Sequence, residues 1–285
     1  MSRRCYFFIL ILISYLAIVI PFTAYLKNRP IAVKLGYMPE ARIIKPIVGD
    51  QRYLIAELYV LKVLFYYGSL VEINQNTLVV PPEYYNMYKT LESAVILDPY
   101  NMDAYYFTQA AFTWELRRAK DVNAMLKYGM KYRTWDYLLP YYAGFNAAYF
   151  LHDYKTGAEF MKRAAELSGN PLFTTLASRY FYEAGKSELG ILFLNTMTKG
   201  AKDKKIKKVY ELREKALLAA QFLENGVVKF KKTHRRLPKD LKELVVSGII
   251  PKVPEDPYGG SFYLDPYGKV RSTSKFASQS PGEKE

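Results

Sequence analysis

Two aromatic doublets restrict this chain more than any other feature. Ala104-Tyr105-Tyr106 and Pro140-Tyr141-Tyr142 stand 36 residues apart, and Asp98-Pro99 and Asn170-Pro171 stand two such periods apart. Between these marks lie paired apolar-periodic stretches of about 12–18 residues, each long enough for a helix. A period in the mid-thirties filled by helix pairs points to a helical solenoid. A single hairpin cannot bury its apolar face alone, so it must stack on the next.

The punctuation agrees with this reading. Asp50 opens a stretch, Tyr53 to Tyr67, that Gly68 stops. Asn74-Gln75-Asn76-Thr77 reads as a turn, and Pro81-Pro82-Glu83 begins a helix to Leu97. Further helices are expected over 102–120, 122–133, 138–151, 156–167, 172–184 and 187–198. Small residues (Ala94, Gly144, Ala147, Ala158, Ala164) would let the helices approach closely. A long helix over 204–232, apolar along one face, would cap the array. Beyond it come a short helix after Pro238, a turn cluster at 254–260, and two strands, 261–265 and 269–273, around Pro266-Tyr267-Gly268.

Ser93-Ala94-Val95-Ile96-Leu97-Asp98-Pro99-Tyr100-Asn101 resembles the end of the second helix and the inter-repeat turn of the tetratricopeptide repeat (TPR) family. Asp153-Tyr154-Lys155-Thr156-Gly157-Ala158 with Lys162-Arg163-Ala164-Ala165-Glu166-Leu167 is similar to that family's second helix, although Gly157 stands where Ala is usual. The resemblance covers about residues 50–200 and implies a scaffold that holds other proteins. The C-terminal part is similar to the end of type II secretion major pseudopilins. It is carried by Leu237-Pro238, Pro254-Glu255-Asp256-Pro257-Tyr258-Gly259 and Phe262-Tyr263. The N-terminus lacks a Gly-hydrophobic prepilin peptidase site, and no Glu precedes Glu40, so the chain is not expected to be processed as a pseudopilin. Those proteins bind calcium in a nearby loop. Asp256 and Asp265 alone cannot supply a cage of six to eight oxygens, so no metal is expected.

Cys5 to Leu26 is a run of 22 uncharged residues. As a helix it would extend roughly 33 Å, against a hydrocarbon core of roughly 30 Å. A cleaved signal peptide is the competing reading, but its apolar part would be shorter, and Phe22-Thr23-Ala24-Tyr25 is a poor cleavage site. The flanking cations are nearly balanced, with Arg3 and Arg4 on one side and Lys27, Arg29 and Lys34 on the other. A very short leading tail favours a cytoplasmic N-terminus in the inner membrane and a soluble part in the periplasm or exterior. The expected fold class is mainly α: a transmembrane helix, a TPR-like α-solenoid and a small C-terminal β-hairpin module. The expected divisions are 1–4 cytoplasmic tail, 5–26 span, 27–49 linker, 50–200 repeats, 201–235 basic capping helix, 236–274 pseudopilin-like module and 275–285 disordered tail.

Chemistry-bearing motifs are missing. There is no His-Glu-x-x-His, Gly-x-Ser-x-Gly or phosphate-cradling glycine loop. The two histidines, His152 and His234, lie far apart, and Cys5 is the only cysteine. Glu57, on an otherwise apolar stretch, reads as a structural acceptor. Neither enzyme activity nor a cofactor is expected. Charge is more telling: the chain carries a net +14, and residues 195–252 hold 16 Lys/Arg against 6 Asp/Glu. Lys199, Lys202, Lys204, Lys205, Lys207 and Lys208 form either a solvated face or a patch for anionic lipid headgroups or an acidic polymer. Nucleic acid ranks low, because it would need a cytoplasmic orientation. Tyr105, Tyr106, Trp114, Tyr141, Tyr142 and Tyr149 are candidates for a partner-binding groove on the repeats, although each reads first as core, because solenoids bury most of their aromatics between hairpins. The function expected is a membrane-anchored scaffold for envelope proteins of a secretion, pilus or surface-polymer export system. The alternative is a structural subunit that self-assembles.

Overall fold

The computed structural model describes residues 3–28, 34–72, 77–78 and 82–276, without the side chains of 3–7, 9, 26–28, 71–72 and 77–78. The expected turn at 74–76, the leading residues 1–2 and the tail 277–285 lie outside the described residues. The fold is mainly helical with a small antiparallel strand pair near the C-terminus. The helices are α1 (Arg3–Asn28), α2 (Ala41–Val48), α3 (Arg52–Ser69), α4 (Tyr84–Leu97), α5 (Met102–Thr108), α6 (Ala119–Gly129), α7 (Leu138–Tyr149), α8 (Tyr154–Ser168), α9 (Pro171–Glu183), α10 (Ser187–Gly200), α11 (Lys204–His234) and α12 (Leu241–Val246). A hairpin β1 (Val71–Glu72) and β2 (Thr77–Leu78) follows α3, and β3 (Phe262–Leu264) pairs antiparallel with β4 (Val270–Ser272).

From α3 onward, helices next to each other in sequence pack on each other, most heavily α3 with α4, α6 with α7, α7 with α8, α8 with α9, and α10 with α11. Short polar side chains set the starts. The Asn101 side chain accepts from Ala104 N at 3.0 Å, Asp153 from Thr156 N at 3.1 Å, and Asn170 from Leu172 N at 2.9 Å. Each satisfies an amide that the first helical turn leaves unpaired. Close approach needs small residues where α7 meets α8. A Cβ on Gly157 would lie 3.1 Å from both the Ala148 Cβ and the Gly144 carbonyl, which explains why Ala does not stand there.

Several expectations are corrected. Residues 29–33 of the expected linker or collar lie outside the described residues, and α2 forms in its later part. Ala41 is buried with Ala56 and Leu97, and its N–H donates to the Ser93 hydroxyl at 3.2 Å. Pro46 sits in the last turn of α2, where only one short-range bond is lost. The single helix expected over 102–120 is broken. After α5 the chain widens into a π turn, Gln109–Thr113, then reverses at Arg117 (φ 55°), and α6 begins at Ala119. The tail boundary also moves, because Phe276 is buried against Tyr182, Tyr258 and Phe262.

α1 does form over the expected span, its described apolar side chains such as Phe8, Ile13 and Ile18 are exposed, and it packs substantially on no other described element. The expected membrane-crossing helix is nevertheless unsupported. Among the described residues no helix is long and apolar enough to cross a membrane. Pro21 lies inside α1.

α11 does more than cap the array. It lies between α9 and α10 on one side and α12 and β4 on the other, and its core continues into the C-terminal module through Leu223, Val227, Phe230, Leu244 and Val270. The Tyr182 hydroxyl donates to the Val270 carbonyl at 2.5 Å, and Arg271 pairs with Glu183 and Asp265. Within the module, the Asp256 carboxylate accepts from Tyr258 N at 2.9 Å and from the Ser272 and Ser274 hydroxyls. Asp256 therefore acts as a clasp between the turn and β4.

Candidate functional site

An open groove of about 770 Å³ is lined by the end of the π-turn segment, the α7–α8 corner and α9. Its aromatic wall starts from Trp114, which stands 55% exposed. Trp114 directly follows the π turn. Phe150 meets it edge-on at 5.0 Å between ring centroids, and Tyr149 lies at 5.9 Å. Phe145 stacks behind Tyr149 at 5.2 Å and an interplanar angle of 12°. Tyr154 and Tyr180, 6.2 Å apart between centroids, line the opposite part.

A buried amide ladder holds the π turn. Gln109 Nε2 donates to Asn146 Oδ1 at 2.9 Å, Asn146 Nδ2 donates back to Gln109 Oε1 at 2.7 Å and to Asn123 Oδ1 at 2.9 Å, and Asn123 Nδ2 donates to the Ala143 carbonyl at 3.1 Å. All three side chains are buried, so each donor and acceptor matters. The ladder ties the π turn to α6 and α7, and thereby sets where Trp114 emerges.

The groove is electropositive. Arg117, His152 and Arg179 line it, and among the described residues none of them has an ion pair or a side-chain hydrogen bond. Glu183, the one carboxylate in the lining, is taken by Arg271. Arg117 and His152 both hold left-handed backbone, with φ of 55° and 53°. Gly185 holds φ 67° at the corresponding corner between α9 and α10. The three corners recur at the repeat period, but only the last uses the residue that adopts this conformation freely. Backbone strain retained at two positions on the rim of one groove is a pattern found at binding sites.

The six aromatic residues expected to share a groove are separated. Tyr105 is core and drops out as a groove candidate: it is fully buried, its hydroxyl donates to the Pro99 carbonyl at 3.1 Å, and its ring fills the space beside Gly129, where a Cβ would lie 2.6 Å from it. Tyr141 is half-buried against Phe173 at 5.0 Å, with Tyr142 beside it at 5.3 Å. Tyr106 is exposed on α5. Only Trp114 and Tyr149 come together in the groove. Arg117, His152, Tyr154, Arg179 and Tyr180 were missed as a set, and the single sequence sign was two turns without glycine one repeat apart.

Lys199, Lys202, Lys204, Lys205, Lys207 and Lys208 are all exposed around the α10–α11 turn, and none forms an ion pair among the described residues. Glu57 accepts from the Asn101 side chain at 2.7 Å and so ties α3 to the joint at residues 98–101. His234 stacks on Phe230 at 4.1 Å. Among the described residues no three His, Cys, Asp or Glu side chains gather as a metal-holding group. Comparison of the chain with protein-family models, with curated proteins and with solved structures finds no match to any of them.

Proposed function

We propose that the chain is a membrane-anchored, TPR-like scaffold that binds other envelope proteins through its helical hairpins. One observation carries the reading. On α3, Leu54, Leu58 and Phe65 share one helical face and stand exposed, Phe65 by 74%. The terminal hairpin of a solenoid needs a polar outer face or a covering partner. An apolar row at that position suits a partner helix laid along it. The uncharged run from Cys5 to Leu26 supports a tether in the inner membrane with the soluble part in the periplasm or exterior. The pseudopilin-like C-terminal segment supports a secretion, pilus or surface-polymer export setting. No catalytic residue or cofactor enters this reading.

Co-purification of the full chain from mild detergent after crosslinking tests it. The expected result is a distinct envelope protein that is lost when Leu58→Glu and Phe65→Glu are combined. Recovery of the chain alone and monomeric under several conditions would remove the scaffold reading. A regular homopolymer lost on the same substitutions would replace it with self-assembly, the second copy covering the α3 row.

A further inference from the structure

We propose that the groove beneath Trp114 binds an acidic oligosaccharide, its sugar faces against Trp114 and Tyr149 and its carboxylates on Arg117 and Arg179. The site is distinct from the α3 row, so this inference goes beyond the scaffold reading and stands or falls separately.

Three observations converge on that ligand. The first is shape. Trp114 and Tyr149 present large, flat, solvent-facing rings that are braced from behind by Phe145 and Phe150. Braced rings lose little freedom on binding, and sugar rings offer them flat C–H faces that are weakly polarised toward the aromatic cloud. The volume of about 770 Å³ lies in the range of sites that bury small ligands.

The second is charge. Arg117 and Arg179 line the groove with no ion pair or hydrogen bond of their side chains among the described residues, and the Glu183 carboxylate is engaged by Arg271. A planar guanidinium matches a carboxylate with two parallel hydrogen bonds, the strongest pairing open to it. Neutral sugars would leave that capacity unused.

The third separates a sugar from an acidic peptide. An acidic peptide carries its carboxylates on flexible chains with no flat apolar face and would leave the exposed rings of Trp114 and Tyr149 uncovered, whereas an acidic sugar unit carries a C–H face and a carboxylate on one ring. The polar groups of the lining are those of Arg117, Arg179, His152 and three tyrosines, with the Glu183 carboxylate held by Arg271, and the arginines and hydroxyls suit ring carboxylates and vicinal hydroxyls.

The chain has two tryptophans, Trp114 and Trp135, and Trp135 stacks on Tyr100 outside the groove. Replacing Trp135 with Phe therefore leaves Trp114 as the single reporter. The full W135F chain in mild detergent is titrated with tetragalacturonate, cellotetraose and tetraglutamate, following emission and heat. The expected result is a saturable response to tetragalacturonate that is at least tenfold tighter than to either comparator. In the same background R117Q/R179Q should weaken it at least tenfold, and R117K/R179K should recover part of the loss. Thermal melts establish that the variants are folded. No saturable response to tetragalacturonate, equal binding of tetraglutamate, or unchanged affinity in folded R117Q/R179Q would each overturn the proposal.

Discussion

Arg117 and His152 occupy backbone that an L-residue enters at a cost of roughly 1–2 kcal/mol. Glycine pays almost none of this. Arg117→Gly and His152→Gly are therefore expected to raise the thermal midpoint by a few degrees each, measured by circular dichroism, and Arg117→Gly to weaken the groove's affinity for anions as well. A fall in midpoint would mean that these side chains hold the corners together. Glu224 supplies a pH signature. Burial pushes its carboxyl pKa up, opposed by the hydrogen bond from the Ser187 hydroxyl and by Arg271. A raised folded pKa contributes stability that is present below the ordinary glutamate range and is lost as pH rises through the raised value. Glu224→Gln keeps the acceptor and removes the charge. Its melting advantage over the parent should be absent near pH 4 and grow toward pH 7, and an advantage that does not change with pH would exclude a titrating Glu224. Glu243 works in the opposite direction. Arg236 first, then Lys239 N–H, lowers its pKa to about 2, so its contribution is lost only as pH falls toward that value.

At the scale of elements, the π turn and the amide ladder form one unit. Removing one amide strands its neighbours, and an unsatisfied buried polar group costs about 1–3 kcal/mol. Asn146→Ala strands both Gln109 and Asn123, so a loss of about 2–5 kcal/mol is expected in denaturant unfolding. Trp114 emission should shift in the native baseline, because the ladder fixes where that ring emerges. An unchanged unfolding midpoint and spectrum would show that the ladder neither stabilises the turn nor sets Trp114. The same scale explains which elements are readable. Asn101, Asp153 and Asn170 announce helix starts because a cap acts over two or three residues, within the same segment. The π turn has no such mark. Its widening depends on Asn146, which lies 37 residues from Gln109, and on the space left by α6.

For the whole molecule, the C-terminal module is continuous with the repeats. α11 shares its core with both, and Tyr182 reaches from α9 to Val270 in β4. Truncating a buried aromatic residue costs about 3–5 kcal/mol. Tyr182→Ala should therefore deprotect amides in α9, α10 and the β3–β4 pair together in hydrogen exchange. Deprotection confined to α9 and α10 would mean that the module folds by itself, as the sequence suggested. The sequence reads as a separate unit there because the local turn and strand signals are complete within residues 254–273. The ring that seats it, Phe276, lay in what reads as a polar tail.

The sequence by itself determined the helical class, the mid-thirties spacing of the hairpins, their capped starts, the small residues at the α7–α8 crossing and the basic stretch around the α10–α11 turn. Those properties rest on periodicity, caps and composition, which act within a few turns of chain. Only the tertiary structure decided that Tyr105 is core while Trp114 and Tyr149 share a groove, that Arg117 and His152 take left-handed corners where Gly185 does so freely, and that Arg179 joins them. An aromatic ring carries no local mark of burial or exposure. Which it adopts depends on the space that neighbouring hairpins leave, and that space exists only once they have stacked.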